Sequence, residues 1–283
     1  MNNRPPALAR DVRSLREYVA AWRRDGLKVA VVPTMGALHD GHLELVRQGF
    51  VHAQRVITTI FINPKQFAAH EDLGRYPRDE NGDLAKLASV GTSLVYAPAL
   101  QEIYSSGFAT VVSVGGPAKV QLEDKFRPQF FDGVSTIVAK LFVQTTAEFA
   151  IFGEKDFQQL KVVTRMARDL DMPTEVVGVP TLREMEGLAL SSRNAYLSTE
   201  ERQQAVALIR TLTKTADAIR AGVNPESATH EAEAALAALG FKVDYVAARN
   251  ALTLEVPTQN DEPLRLLAAV WLGKTRLIDN IAV

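Results

Sequence analysis

Short apolar runs rich in β-branched residues alternate, through the first two thirds of the chain, with segments whose apolar positions recur three or four residues apart. The spacing predicts a helix over 11–25, then a buried first strand over 28–33 built on Val29, Val31 and Val32. An amphipathic helix with Leu43, Val46 and Phe50 on one face follows, and a second strand over 55–61. A helix over 83–89 leads to a short strand over 93–96 that ends at Ala97 and Pro98. Residues 108–114 read as extended, 134–145 as a helix, 149–152 as a strand, 157–169 as a helix and 175–179 as a last buried strand. This alternation implies an α/β fold, a doubly wound parallel sheet with helices on its faces. Ligands of such sheets lie beyond the carboxyl ends of the strands, so the polar loops after Val32, Phe61, Phe152 and Val179 are expected to meet at one cleft.

From about Glu200 the texture changes to an Ala-rich helix reaching about Ala221, a turn at Asn224-Pro225, a second Ala-rich helix to Ala238, and extended segments over 242–247 and 266–271. A boundary within 181–192 therefore divides a large unit, 1–185, from a smaller C-terminal α+β unit, 186–283. With 47% apolar and 23% charged residues, and 32 Lys+Arg against 33 Asp+Glu, the chain has the profile of a soluble globular protein. Balanced charge leaves no polybasic footprint for nucleic acid or membrane, although a local pocket can still be basic enough for phosphates. The absence of cysteine excludes disulfides, a thiolate nucleophile and a Cys-based zinc site. Residues 1–13 carry no apolar stretch of secretory type and no run approaches membrane-span length, so a cytoplasmic protein is expected.

The strongest chemical signal is Pro33-Thr34-Met35-Gly36-Ala37-Leu38-His39-Asp40-Gly41-His42, lying between a buried strand and a helix start. Two imidazoles three residues apart, with Gly41 permitting close backbone approach, can present donors beside the exposed amides of a helix N-terminus, where phosphate is favoured. A metal pair or a simple helix cap is the alternative at this point. Asn63 and Gln66 are neutral amides able to donate to a carboxylate and accept from a hydroxyl, as selection of a small hydroxy-acid requires, and Asn63 also suits turn capping before Pro64. Lys155 follows a strand and Gly153, which aims its ammonium from the sheet edge; Asp156 is placed to cap the next helix. Ser191, Ser192 and Arg193 combine two hydroxyls with a guanidinium, a set that grips pyrophosphate by charge-assisted hydrogen bonds.

His-x-Gly-His after a first parallel strand is similar to the Rossmann-like nucleotidylyltransferase superfamily and the class I aminoacyl-tRNA synthetases. The flanking Pro33-Thr34-Met35-Gly36 narrows the resemblance to the pantothenate synthetase family. Four further blocks agree in order: Phe61-Ile62-Asn63-Pro64-Lys65-Gln66-Phe67 with Tyr76-Pro77-Arg78; Phe131-Asp132-Gly133-Val134; the stretch from Phe152-Gly153-Glu154-Lys155-Asp156 to Gln159; and Gly187-Leu188-Ala189-Leu190-Ser191-Ser192-Arg193-Asn194. The resemblance implies an ATP-dependent ligase that joins pantoate to β-alanine through an acyl-adenylate, with Mg2+ accompanying ATP, and a homodimer whose C-terminal unit acts as a lid. It implies catalytic roles for His39, His42, Lys155, Ser192 and Arg193. It places ATP against Pro33, Thr34, Met35, Gly36, His39, Gly41, His42, Gly153, Lys155, Asp156, Val179, Leu188, Ser191, Ser192 and Arg193, and pantoate against Met35, Asn63, Gln66 and Gln159.

Three positions depart from the family pattern. Gly82-Asp83 stands where two adjacent acids are frequent, so no protein ligand for the metal is assigned. Phe130 replaces a frequent histidine and carries no expected role, and Glu186 stands where aspartate is usual. A nucleotidylyltransferase acting on a phosphate-bearing acceptor shares the His-x-Gly-His signature and remains the chief alternative from the residues alone. A tRNA-linked or nonenzymatic nucleotide-binding module is disfavoured by the neutral charge.

Overall fold

The valines of the first apolar run are excluded from solvent on both faces, as a central strand of a helix-covered parallel sheet requires: Val29, Ala30, Val31 and Val32 are each 0% exposed. The computed structural model describes residues 5–68, 71–258 and 263–283. Among these, the elements are β1 (Ala7–Ala9), α1 (Val12–Arg24), β2 (Val29–Thr34), α2 (Asp40–His52), β3 (Arg55–Ile60), α3 (Glu80–Ser89), β4 (Leu94–Tyr96), α4 (Leu100–Ile103), α5 (Glu123–Phe126), α6 (Phe130–Thr145), β5 (Phe149–Gly153), α7 (Phe157–Asp169) and β6 (Glu175–Val179). The C-terminal region adds α8 (Thr199–Arg220), α9 (Pro225–Ala238), β7 (Lys242–Asn250), β8 (Leu264–Leu272) and β9 (Thr275–Ala282).

Strands β1 to β6 form one parallel sheet in the order β1-β4-β3-β2-β5-β6. The chain leaves β2 toward β3 on one side and returns to β5 on the other, so the crevice beyond the carboxyl ends of β2 and β5 is the topological switch point. Helix α6 is buried along nearly its whole length, with Val134, Ile137, Val138, Leu141 and Phe142 in the main core. Strands β7, β8 and β9 form a separate antiparallel sheet, and α8 and α9 share a second core with it around Leu212, Leu236, Leu266 and Val270. Ala247, Leu254 and Leu267 of the C-terminal region join the main core instead, so apolar packing runs from one unit into the other.

The structure corrects several expectations. Segment 175–179 is, among the described residues, an edge strand paired with β5 alone; Glu175 and Gly178 are exposed, Val176 and Val177 are half-buried and Val179 alone is buried. Residues 108–114 form no strand. Phe50 is 37% exposed and Gly49 takes the buried position on α2, because that helix approaches β3 too closely for a side chain; a Cβ on Gly49 would stand 3.0 Å from Val56. Helix α6 starts at Phe130 rather than 134, and β1 and β9 were not foreseen. Among the described residues no helix is long and apolar enough to cross a membrane.

Candidate active site

Beyond β2 the chain turns through two left-handed residues, Gly36 (φ 81°) and Ala37 (φ 52°). The alanine conformation costs about 1–2 kcal/mol and persists because α3 holds the turn from the side. The buried Asp83 carboxylate accepts from the amides of Ala37 and Leu38, each at 2.8 Å, while Lys86 Nζ donates to the Leu38 carbonyl at 2.6 Å. Burial raises the Asp83 pKa against the opposing pull of those two amides. The single acid of the Gly82-Asp83 pair is thus committed to backbone, and among the described residues no cluster of three His, Cys, Asp or Glu offers a metal cage.

The turn delivers the two histidines as a reciprocal helix cap. His39 Nδ1 accepts from the Gly41 amide at 3.2 Å, and His42 Nδ1 accepts from the His39 amide at 3.3 Å. With each Nδ1 accepting, the neutral tautomer carries its proton on Nε2, so both rings are N–H donors to a ligand. The ring centroids lie 4.1 Å apart. Burial, then the nearby Lys155 ammonium, lowers the His39 pKa to about 4; burial, then His39 and Lys155, holds His42 well below its ordinary value. Gly41 is required by packing, since a Cβ there would stand 2.9 Å from the His39 ring. The histidines therefore enter as neutral donors, suited to an anion, and among the described residues the metal-pair reading has no third ligand beside it.

A second wall comes from the turn after β3. Asn63, 1% exposed, donates to the Gly133 carbonyl at 3.0 Å and to Gln66 Oε1 at 3.1 Å, and its oxygen accepts from the Tyr104 hydroxyl at 2.8 Å. It also caps the turn by accepting from the Lys65 amide. Asn63 thereby spends its hydrogen bonds on orienting Gln66, whose Nε2 donates, among the described residues, to the weak acceptor Met35 Sδ at 3.1 Å and is easily reassigned to a better one. Gly133 allows this arrangement: a Cβ on it would lie 2.4 Å from the Lys65 carbonyl oxygen.

These groups share one cavity of about 230 Å³ with Lys155, Asp156, Gln159, Ser191, Ser192 and Arg193. Pro33, Thr34, Met35, His39, Gly41, His42, Asn63, Gln66 and Gly153 line it too, so the loops after β2, β3, β5 and β6 do meet. Gly36, Val179 and Leu188 do not line this cavity, although Leu188 lines an adjoining one together with Lys155, Asp156, Ser191 and Arg193. Gly36 is buried behind the turn, Val179 closes the strand below Pro180 and Thr181, and Leu188 packs into the second core. Asp156 occupies the N-cap position of α7 without a side-chain cap bond, contrary to expectation. Ser191 opens its turn by accepting from the Arg193 amide at 3.3 Å, and Ser192 Oγ lies 3.3 Å from the Tyr76 hydroxyl.

Sequence reading missed several lining groups, including Tyr76, Arg127 and Phe130. Arg127 is gripped by the Glu71 carboxylate at 2.7 and 2.8 Å, and its guanidinium lies 3.7 Å from the centroid of the buried Phe130 ring. Phe130 stood out only as a departure from the family pattern, and nothing local announced that it would be the platform beneath Arg127.

N–H donors gathered at the switch point of a parallel sheet, beside a small amide-lined recess, are the arrangement of a nucleotide-dependent α/β enzyme. The family model described as pantoate-beta-alanine ligase matches residues 7–282. A pantothenate synthetase of Caulobacter vibrioides is 57% identical over 98% of this chain and 99% of its own length. The crystal structure of pantothenate synthetase from Thermus thermophilus superposes with a TM-score of 0.90 at 44% identity, covering 97% of this chain and 98% of that one. The pantoate-beta-alanine ligase of Francisella tularensis, solved with beta-gamma ATP and beta-alanine, superposes at 0.82 with 29% identity, covering 98% and 97%. The chain belongs to the pantoate-beta-alanine ligase family. It is an ATP-dependent ligase condensing pantoate with β-alanine.

Proposed function

We propose that the recess formed by Met35, Gln66 and Gln159 holds pantoate, oriented by Asn63, with its carboxylate facing the α-phosphate of ATP bound between His39, His42 and Lys155. The carboxylate oxygen attacks the α-phosphorus and pyrophosphate leaves; the β-alanine amine then attacks the acyl carbon, giving pantothenate and AMP. No covalent enzyme intermediate is required. The Nε2 donors of the two neutral histidines, the Lys155 ammonium and the Ser192–Arg193 pair stabilise charge building on the phosphates, so catalysis rests on positioning and electrostatics. ATP is taken as its magnesium salt, the ion held by phosphate oxygens and water, in keeping with the commitment of Asp83 to backbone.

The observation carrying this reading is that the two histidines, Lys155, the serine-arginine turn and the amide recess line one cavity. The Francisella tularensis relative, which carries an ATP analogue and β-alanine in one structure, supports it. In this reading 1–185 binds nucleotide and pantoate, 186–283 covers them, and the cytoplasmic enzyme is a homodimer, which sedimentation at micromolar concentration tests. The chemistry is tested by isotope exchange between pyrophosphate and ATP. Exchange is expected only with pantoate present, and H42A and K155A are expected to lose it by about 100-fold or more while remaining folded. Full exchange in both variants would refute the assignment of roles.

A further inference from the structure

The turn that carries Lys155 receives no side-chain cap from its own residues. Gly153 precedes it without a side chain, Asp156 gives no cap bond to α7, and Lys155 sits between them in a single 3-10 turn. Its carbonyls are held instead from the C-terminal sheet. Asn280 of β9, 3% exposed, donates through Nδ2 to the carbonyls of both Glu154 and Lys155 at 2.9 Å. Asn280 is itself fixed: Arg265 of β8 donates from Nε to Asn280 Oδ1 at 2.6 Å and reaches Glu154 Oε2 at 3.1 Å, and its guanidinium stacks 4.3 Å from the Phe157 ring.

The preceding residue holds the other phosphate-facing segment. Asp279, 4% exposed, receives both Arg183 nitrogens, at 2.6 and 2.8 Å, and the same guanidinium donates to the Gly187 carbonyl at 3.1 Å. Residues 182–190 fold back on themselves through the Arg183–Ala189 bridge and the Leu190-to-Leu182 backbone bond, and lead directly into Ser191–Arg193. Successive residues of a strand project to opposite sides, so one dipeptide can reach two loops at once.

We propose that Asp279 and Asn280 are positioning residues for catalysis: β9 sets the distance between the Lys155 ammonium and the serine-arginine turn, making the C-terminal sheet part of the phosphate-binding apparatus. This rests on the functional reading above. A pair of loops held from one rigid strand delivers its charges in fixed register, whereas loops released from it would have to be ordered during each turnover.

The test compares Asn280→Ala and the isosteric Asn280→Asp with Leu236→Ala, which opens a cavity on α9 in the second core and removes no hydrogen bond to either loop. Pantoate-dependent ATP–pyrophosphate exchange, thermal unfolding and amide hydrogen exchange at residues 154–157 are measured on the whole chain. N280A and N280D are expected to lower the exchange kcat on the order of 100-fold, leave the pantoate KM within about twofold of wild type, as expected where ground-state binding is untouched, and speed amide exchange in the Lys155 turn. L236A is expected to lose thermal stability while keeping kcat. Wild-type kcat in N280D, or an equal kcat loss in L236A, would overturn the proposal. Should N280A fail to fold, N280D, which preserves volume and the Arg265 contact but cannot donate to either carbonyl, decides alone. Absence of pantoate-dependent exchange in the wild-type protein would instead refute the underlying functional reading.

Discussion

Gly133→Ala drives a new methyl group into the backbone of the turn that carries Gln66. The new Cβ would lie 2.4 Å from the Lys65 carbonyl oxygen, 2.6 Å from its carbon and 2.8 Å from the Gln66 amide nitrogen, all backbone atoms. Reaching even the 3.0 Å below which such contacts essentially do not occur requires the turn to retreat by about 0.6 Å. The turn is pinned on its other side by Asn63, which bridges Gly133, Gln66 and Tyr104, so the retreat carries Gln66 with it. Overpacking costs about 1–3 kcal/mol, and replacing a helical glycine returns about 1 kcal/mol, leaving Tm lower by a few degrees at most. The larger effect falls on pantoate. Losing one hydrogen bond to a charged ligand costs about 1.5–3 kcal/mol, equivalent to about a 10- to 100-fold rise in pantoate KM. Steady-state kinetics with pantoate and ATP varied separately should show that rise with the ATP KM nearly unaltered. An unaltered pantoate KM in a folded G133A protein, or an equal rise for ATP, would refute the reasoning.

Two further outcomes follow from the loop after β2. Because burial and Lys155 depress His39 to about 4 in the fold, the unfolded chain binds its proton first. The corresponding stability is complete above the unfolded value of about 6.5 and is lost as pH falls from there toward 4, so Tm should drop over that interval. His39→Asn keeps a helix-capping acceptor without the titration and should reduce the drop by the share due to His39; identical Tm–pH profiles would contradict this. Asp83→Asn leaves one acceptor oxygen for two amides and should cost about 1–3 kcal/mol in chemical denaturation, without altering the magnesium concentration that half-saturates exchange. A large shift in that concentration would instead make Asp83 a metal ligand.

Periodicity disclosed the central strands because burial on both faces demands unbroken apolar runs, and Val29 to Val32 advertise it. It failed where neighbours decide. β6 has the same apolar look but only one partner strand, and β9 buries Asp279 and Asn280 among its apolar residues, which breaks the pattern of a strand. The three residues of β1 are too few to register as a period. In the site, His39, His42, Lys155 and the serine-arginine turn were legible because each lies at the end of a strand or the start of a helix or turn. Asp83, Lys86 and Asn280 were not, since each supports a loop distant in sequence, and no local spacing records a contact of that kind. Phe130 was noticed only as a departure, and its part under Arg127 emerged from the packing.

The account depends on attack by the pantoate carboxylate on the α-phosphorus of ATP. Pantoate labelled with 18O in its carboxylate, turned over with ATP and β-alanine, tests this by mass spectrometry of the products. One labelled oxygen should appear in the AMP phosphate and none in pyrophosphate; unlabelled AMP, or label in inorganic phosphate or pyrophosphate, would contradict the account.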